Sequence, residues 1–183
     1  MKIAIDTGHR GRLSKPNDPG AVSGALVEAN IVAAYALAAE LGLHAAGHTV
    51  FPLRDGEYRD RAERAEGYGC DAALACHVNA AGSRTADYGV ILYWPGSTKG
   101  EALASAIATA LADVVPWPVR VEAATPDRWA DARAIVSRYA CPAVCIEPGF
   151  ITGIMGGVWF SYPDNIQALG RAVARGARAW TAP

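Results

Sequence analysis

The stretch MKIAIDTGHRG, Met1 to Gly11, decides how the chain is read. Lys2 to Ile5 forms an apolar run of the kind that makes a buried strand, and it leads straight into Asp-Thr-Gly-His. A histidine one glycine beyond such a strand has two readings. It can cap the strand and face water, or it can present its imidazole to something bound at the strand end. One His does not choose between them, so the choice rests on what the other strands deliver.

Outward from that strand, apolar runs alternate with helical patterns. Ala25 to Leu41 reads as a helix stopped by Gly42, and His48 to Leu53 (HTVFPL) as a strand. Arg59 to Tyr68 is a charged amphipathic helix, followed by a strand over Asp71 to Cys76. Tyr88 to Tyr93 is a strand closed by Trp94-Pro95-Gly96, and Glu101 to Val115 an Ala-rich helix. Ala143 to Ile146 is a buried strand after Pro142. The last helix, Pro163 to Trp180, carries Ile166, Leu169, Val173, Ala177 and Trp180 on one face. Trp117 to Tyr139 reads as loop plus a short helix. Strands alternating with helices predict an α/β fold with a mixed, mainly parallel open sheet and helices on both faces. No linker, repeat or low-complexity segment interrupts the pattern, so residues 1–183 are expected to form one domain.

Composition narrows the function. Of 183 residues, 51% are hydrophobic and 19% charged, enough for a substantial core without disulfide or metal staples. Seventeen basic against eighteen acidic residues leave a net charge of −1, and no basic block points to nucleic acid or anionic lipid. The longest apolar stretch, Ala29 to Leu43, is broken by Asn30, Glu40 and Gly42, which argues against membrane insertion. MKIAIDTGH has one Lys, a few apolar residues and then an Asp, unlike a signal peptide, so the protein is expected to be made in the cytoplasm. Cys141 and Cys145 do not suit a zinc site, because residues four apart on a strand lie about 13 Å from each other. All four cysteines, with Cys70 and Cys76, are expected to be buried free thiols in a reducing compartment.

In an open parallel sheet, ligands bind beyond the carboxyl ends of the strands. His9 follows the first strand, His77 and Asn79 follow AALACHVNA, and Glu147 follows PAVCIEPGF. His77 alone could be a core histidine and Glu147 alone a capped or salt-bridged carboxylate, but three such residues at one edge favour a site. Glu28, near the start of the first long helix, shares a face with Ile31, Val32 and Tyr35 and therefore points inward. A helix-dipole role would not require an inward face, whereas a buried carboxylate needs a partner or a metal. Two His and one Glu are the protein ligands of a hydrolytic zinc site, whose fourth position is kept for water. Glu147 would then be the carboxylate that takes a proton from that water and passes it on.

The ordered set of motifs resembles the zinc-dependent N-acetylmuramoyl-L-alanine amidases. It comprises Gly8-His9, Asp18-Pro19-Gly20-Ala21, Glu28, His77-Val78-Asn79-Ala80 and Glu147-Pro148-Gly149-Phe150, spread from Ile3 to Phe150. The resemblance implies one zinc ion per chain held by His9, Glu28 and His77, Glu147 as the catalytic carboxylate, and a mixed sheet of about six strands. It implies peptidoglycan as the partner and hydrolysis of the amide between the muramic acid lactyl group and L-Ala. Asn79 is a candidate substrate contact. Three departures sit beside the site: Arg10 directly after His9, a loop lengthened by RLSKPN before Asp18, and Pro148 where a small residue is usual. They bear on substrate contacts more than on the metal. No segment is long enough for the inserted autoinhibitory helix of some cell-division amidases, so the site is expected to be open.

Two other readings remain. A zinc carboxypeptidase acting on stem peptides would need a fixed Arg for the terminal carboxylate, and Arg54, Arg59, Arg84 and Arg120 are available. An inactive wall-binding module would be expected to lack a ligand or the base. A cytoplasmic origin and an external substrate fit a phage or prophage endolysin, which reaches the cell wall only after release through the membrane, when another protein opens it.

Overall fold

The computed structural model describes residues 1–180. The opening run forms β1 (Lys2–Thr7), buried from Ile3 through Thr7. A small hairpin follows, β2 (Val22–Ser23) and β3 (Leu26–Val27), which feeds α1 (Glu28–Ala45). Next come β4 (Thr49–Leu53), α2 (Tyr58–Gly67), β5 (Ala72–Cys76), β6 (Gly89–Tyr93) and α3 (Thr98–Ala112). The chain ends with β7 (Val119–Ala123), α4 (Ala130–Val136), β8 (Ala143–Glu147), α5 (Ile154–Trp159) and α6 (Pro163–Ala179). Six strands make one sheet in the order β4-β1-β5-β8-β6-β7. All neighbours are parallel except β6 and β8, which are antiparallel. This is the mixed, mainly parallel α/β sheet expected.

Period-two alternation assigns the two faces of the central strands. Ile3, Ile5, Leu74, Cys76, Val144 and Ile146 face the larger core with α1, α3 and α6. Ala4, Ala73, Ala75, Ala143 and Cys145 face the smaller core with α2 and α4. Large side chains therefore fill the three-helix side, and small ones let α2 and α4 sit close. On the three-helix side α1 and α6 touch closely. A Cβ on Gly42 would stand 2.8 Å from the Ala174 methyl. Gly42 is thus not the stop the sequence suggests. It is a contact point inside α1, which runs on to Ala45 and begins at Glu28, not at Ala25.

Two further boundaries differ from expectation. Trp117 to Tyr139 is not loop plus helix alone, because it contains β7, an edge strand paired with β6. Its VRVEA alternation is that of a half-buried strand, though only five residues long. The helix α5 gave no readable period over six residues. The cysteines are all free, but only Cys76 and Cys145 are buried, while Cys70 and Cys141 are half-buried near the edge of the smaller core. Residues 181–183 of the expected domain lie outside the described residues.

Candidate functional site

The ends of three adjacent strands, β1, β5 and β8, build the site. His77 follows β5 directly, and Glu147 is the last residue of β8. His9 follows β1 by two residues and holds φ at 64°, the one non-glycine residue with positive φ among those described. Such a backbone is rare outside glycine and persists where the surroundings enforce it. Here they do. Gly8 donates its N–H to Cys76 O at 3.1 Å. A Cβ on Gly8 would meet Cys76 O and the His77 ring at 2.6 Å. Glycine at position 8 lets β1 end against the His77 imidazole, and the chain then turns sharply to aim His9 at the same place.

Glu28 comes from the opposite direction, as the first residue of α1. It is buried, and its carboxylate is held by two backbone donors: Val78 N–H to Oε1 at 2.9 Å and Ala21 N–H to Oε2 at 2.8 Å. Oε1 also lies 3.1 Å from His9 Nε2 and 3.3 Å from His77 Nδ1. The two imidazoles meet edge to face, with ring centres 5.0 Å apart. One donor atom from each of His9, Glu28 and His77 lies within 4.8 Å of the others, so the structure brings the expected triad together.

The electrostatics fit a cation at that point. Burial alone would raise the Glu28 carboxyl, but the His77 and His9 imidazoles outweigh it and hold the group well below the ordinary carboxylate range. Burial would lower His9, yet Glu28 and Asp18 raise it above its usual value. Lone pairs of two imidazoles and a carboxylate converge, and lone pairs need positive charge between them. Donors at about 2.0–2.2 Å around tetrahedral zinc stand about 3.3–3.6 Å apart, and the two Glu28–imidazole spacings of 3.1 and 3.3 Å are close to that. His77 Nε2 is buried without a partner. The residues therefore fit zinc.

Asp18 supports His9 from behind. Its Oδ2 accepts from His9 Nδ1 at 3.1 Å, and its Oδ1 accepts from Gly20 N–H at 3.1 Å. Arg12, from the lengthened RLSKPN loop, holds Asp18 at 3.2 Å and Glu57 at 3.2 Å. The loop is thus tied to the start of α2 and does not hang free. The sequence reading placed Asp18 in a motif but missed that Arg12 secures it. It also missed Tyr58, whose ring centre is 6.2 Å from that of His77.

Glu147 lines the same cleft, of about 570 Å³, with the triad and Asn79. Cys145 Sγ donates to its Oε1 at 3.9 Å, and its Oε2 is buried without a partner. Burial pushes the Glu147 carboxyl well up, and the charges of Glu28 and Asp131 push it further. Beneath the floor, Tyr35 donates its hydroxyl to His77 O at 2.8 Å, with Ile146 O at 3.5 Å, tying the two strand ends together. Asn79 is more constrained than a free contact residue. Its Oδ1 accepts from Ala80 N–H at 2.8 Å, and its backbone bridges to Phe150. Pro148 leaves its carbonyl to Trp117 Nε1 at 2.7 Å, and the Arg10 carbonyl accepts from Arg61, so both departures are absorbed by packing beside the site.

A family model described as N-acetylmuramoyl-L-alanine amidase matches residues 3–179. No curated protein sequence matches the chain. Among solved structures, the amidase AmiC2 of Nostoc punctiforme is similar at a TM-score of 0.83 and 21% identity, over 98% of this chain and 96% of that one. The catalytic domain of the amidase CwlV from Bacillus (Paenibacillus) polymyxa var. colistinus gives 0.80 and 21%, over 98% and 97%. The catalytic domain of the CD27L endolysin targeting Clostridia Difficile gives 0.73 and 18%, over 98% and 97%. At these identities the structural likeness is one of fold.

Proposed function

The chain belongs to the N-acetylmuramoyl-L-alanine amidase family, and from that premise we propose that it hydrolyses the amide between the muramic acid lactyl group and L-Ala of peptidoglycan with the help of one zinc ion. We take residues 1–183 as one catalytic domain. His9, Glu28 and His77 hold the metal, Glu147 is the general base and then the general acid, and Asn79 shapes the substrate side of the cleft. The observation that carries this reading is the convergence of the three donor atoms within 4.8 Å of one another beside a carboxyl with an unpartnered oxygen.

Bound zinc supplies the positive charge that brings a water pKa toward about 7 and polarises the amide carbonyl. The protein does the rest. Glu147 accepts a proton from the attacking water as its oxygen bonds the carbonyl carbon. A carboxyl whose proton affinity is raised by burial can hold that proton and return it to the amine nitrogen as the C–N bond breaks. The products are a lactyl carboxylate and a peptide with a free N-terminal L-Ala. Tyr35 fixes the spacing between the His77 and Glu147 strand ends, and Asp18 fixes the His9 ring.

The four arginines named from the sequence for a carboxypeptidase are engaged or placed elsewhere. Arg54 pairs with Glu40, Arg59 with Glu63 at 2.8 Å, and Arg120 lies 4.1 Å over the Tyr88 ring. Arg84 lines a separate groove. We further read the enzyme as lytic, of the endolysin type; the catalytic domain of the CD27L endolysin has this fold, as do other amidases. Digestion of purified peptidoglycan, with and without a chelator, tests the function. Metal-dependent release of peptides with N-terminal L-Ala is expected. Release of terminal D-Ala instead would replace the amidase reading with the carboxypeptidase one, and wall binding without cleavage would favour an inactive module.

A further inference from the structure

The cleft wall beside the catalytic carboxylate is formed by α4 and the turn that follows it. Asp131, Ala134, Ile135 and Arg138 all line the cleft. Asp131, Ala134 and Ile135, spaced three and four apart, share one face of α4, and Arg138 follows in the turn beyond its end. Ile135 is buried in the smaller core and fixes that face, while Asp131 and Arg138 stay exposed at its two ends. Asp131 marks the end near Glu147, since its charge is felt there. Arg138 stands past the other end of α4, whose seven residues rise about 10 Å at 1.5 Å per residue.

Of the charges that line the cleft, Asp131, Glu147, Lys15 and Arg138 make no ion pair with a described residue, and the rest are matched. Glu28 faces two imidazoles, Asp18 faces His9 and Arg12, and the Arg12 guanidinium is shared between Asp18 and Glu57. Arg138 makes no side-chain hydrogen bond or ion pair with any described residue, and the same holds for Lys15, which lines the cleft from the loop after β1. A guanidinium in a substrate cleft, unmatched by any protein carboxylate, offers its planar fork to a ligand carboxylate.

We propose that Arg138 is a specificity-determining residue that reads a carboxylate on the peptide arm of the substrate, so that the cleft prefers stem peptides with a free carboxyl just beyond the scissile alanine over those in which that carboxyl is a primary amide. The inference rests on the amidase reading and deepens it. The scissile carbonyl has to lie beside Glu147 and the triad. An extended peptide covers about 3.5 Å per residue, so the ~10 Å rise of α4 matches the first two or three residues past the bond. Lys15, exposed and also lining the cleft, adds a second unpaired positive charge there.

The test uses zinc-loaded enzyme and two soluble muropeptides that differ only in a carboxyl or a primary amide at the residue after L-Ala. The wild type should favour the acid in kcat/KM by about fivefold, the scale of an exposed ion pair. Added salt should shrink that ratio. Arg138→Gln should bring the ratio near one, and Arg138→Glu should invert it. Arg175→Gln, on the exposed face of α6, should keep the wild-type ratio. Melting curves of the variants confirm that each is folded. Equal efficiency on both substrates by the wild type, or an Arg138→Gln enzyme that keeps the preference, overturns this inference alone. Cleavage of neither substrate by the wild type overturns the amidase reading and this inference with it.

Discussion

Asp6 and His9 sit three residues apart at the end of one strand, and the charges gathered around them are finished differently. Around Asp6 both carboxylate oxygens are paired. Arg61 donates to Asp6 Oδ1, to Thr7 O at 2.8 Å, to Gly56 O at 3.1 Å and to the Arg10 carbonyl. Tyr139 donates to the other carboxylate oxygen, Oδ2, at 2.7 Å. Burial, followed by the Asp6 charge, raises the Tyr139 hydroxyl well above its usual range, so it remains a neutral donor. Both Asp6 and Arg61 have no exposure at all. Around His9 the opposite holds. Donor atoms crowd together, and His77 Nε2 and Glu147 Oε2 are buried with nothing to bind. A buried charge cluster that saturates itself locks the chain, whereas one left unsaturated keeps its binding energy for something that arrives later. Arg61 is bonded to the backbone at Thr7 and at Arg10, on either side of the turn that carries His9, but it touches none of the three convergent donors.

The sharpest way to break this contrast is to remove one member of each cluster. His77→Ala should take bound zinc from about one equivalent per chain to almost none and abolish peptidoglycan cleavage. The melting temperature of the metal-free protein should move far less. Metal analysis and thermal melts on the same preparation decide it, and retained zinc would remove His77 from the metal set. Arg61→Met should do the reverse. Breaking a buried pair leaves Asp6 uncompensated and costs about 3–5 kcal/mol, of order 10 °C in melting temperature for a chain of this size. Zinc content and turnover per folded molecule should survive. A variant of normal stability that fails to bind zinc would place Arg61 with the site and not with the scaffold.

The two clusters were unequally legible in the sequence. His9, His77 and Glu147 could be placed because each follows an apolar run, and strand ends of a parallel sheet share one edge. Glu28 could be placed because it shares a helical face with Ile31, Val32 and Tyr35. Arg61 could not. Arg59 to Tyr68 carries so many charges that its buried stripe of Arg61, Ala62 and Ala65 has no apolar signature. The available signal was Asp6, an acid continuing a buried strand, which obliges some cation to come to it. Gly42 misled because glycine ends helices by conformation but also sits inside them where another helix comes close. The strand β7 was obscured by its five residues and its place at the sheet edge, where only one neighbour specifies it. Long-range pairings of this kind are set by tertiary contact, and local pattern carries them weakly.

A smaller effect tests the catalytic half of the site. Glu147→Gln keeps nearly the same shape, so zinc content and melting temperature should hold. The amide cannot take a proton from water or return one to the leaving amine, and turnover should fall by about 10² to 10⁴. Affinity for peptidoglycan should change much less, since the loss lies in the transition state. Near-normal turnover in a folded, zinc-loaded variant would leave Glu147 without a catalytic role. Loss of stability with turnover retained per folded molecule would move it into the class of Asp6, a carboxyl that holds structure.

The smallest expected effect belongs to Asp18, which lies on the border between the two kinds of cluster. It is matched on one side by Arg12 and on the other by His9. If its main work is to orient the His9 ring, Asp18→Asn should weaken zinc binding at pH 8 by about 10- to 100-fold, the usual scale for a group behind a metal-ligating histidine. The pH dependence gives a second readout. Zinc needs the neutral imidazole. Burial lowers the His9 pKa, but Glu28 and then Asp18 raise it above 6.5 overall. Protons therefore compete with zinc in the wild type as pH falls into that raised range. Removing the Asp18 charge lowers the His9 pKa, so the variant suffers this competition later. The affinity gap between wild type and variant should accordingly be widest near pH 8 and narrow toward pH 6. Equilibrium zinc titrations at several pH values measure both the gap and its slope. A gap near one at every pH, accompanied by a drop in melting temperature, would show that Asp18 serves only to hold the Arg12 loop, and the line between the two clusters would then run between Asp18 and His9.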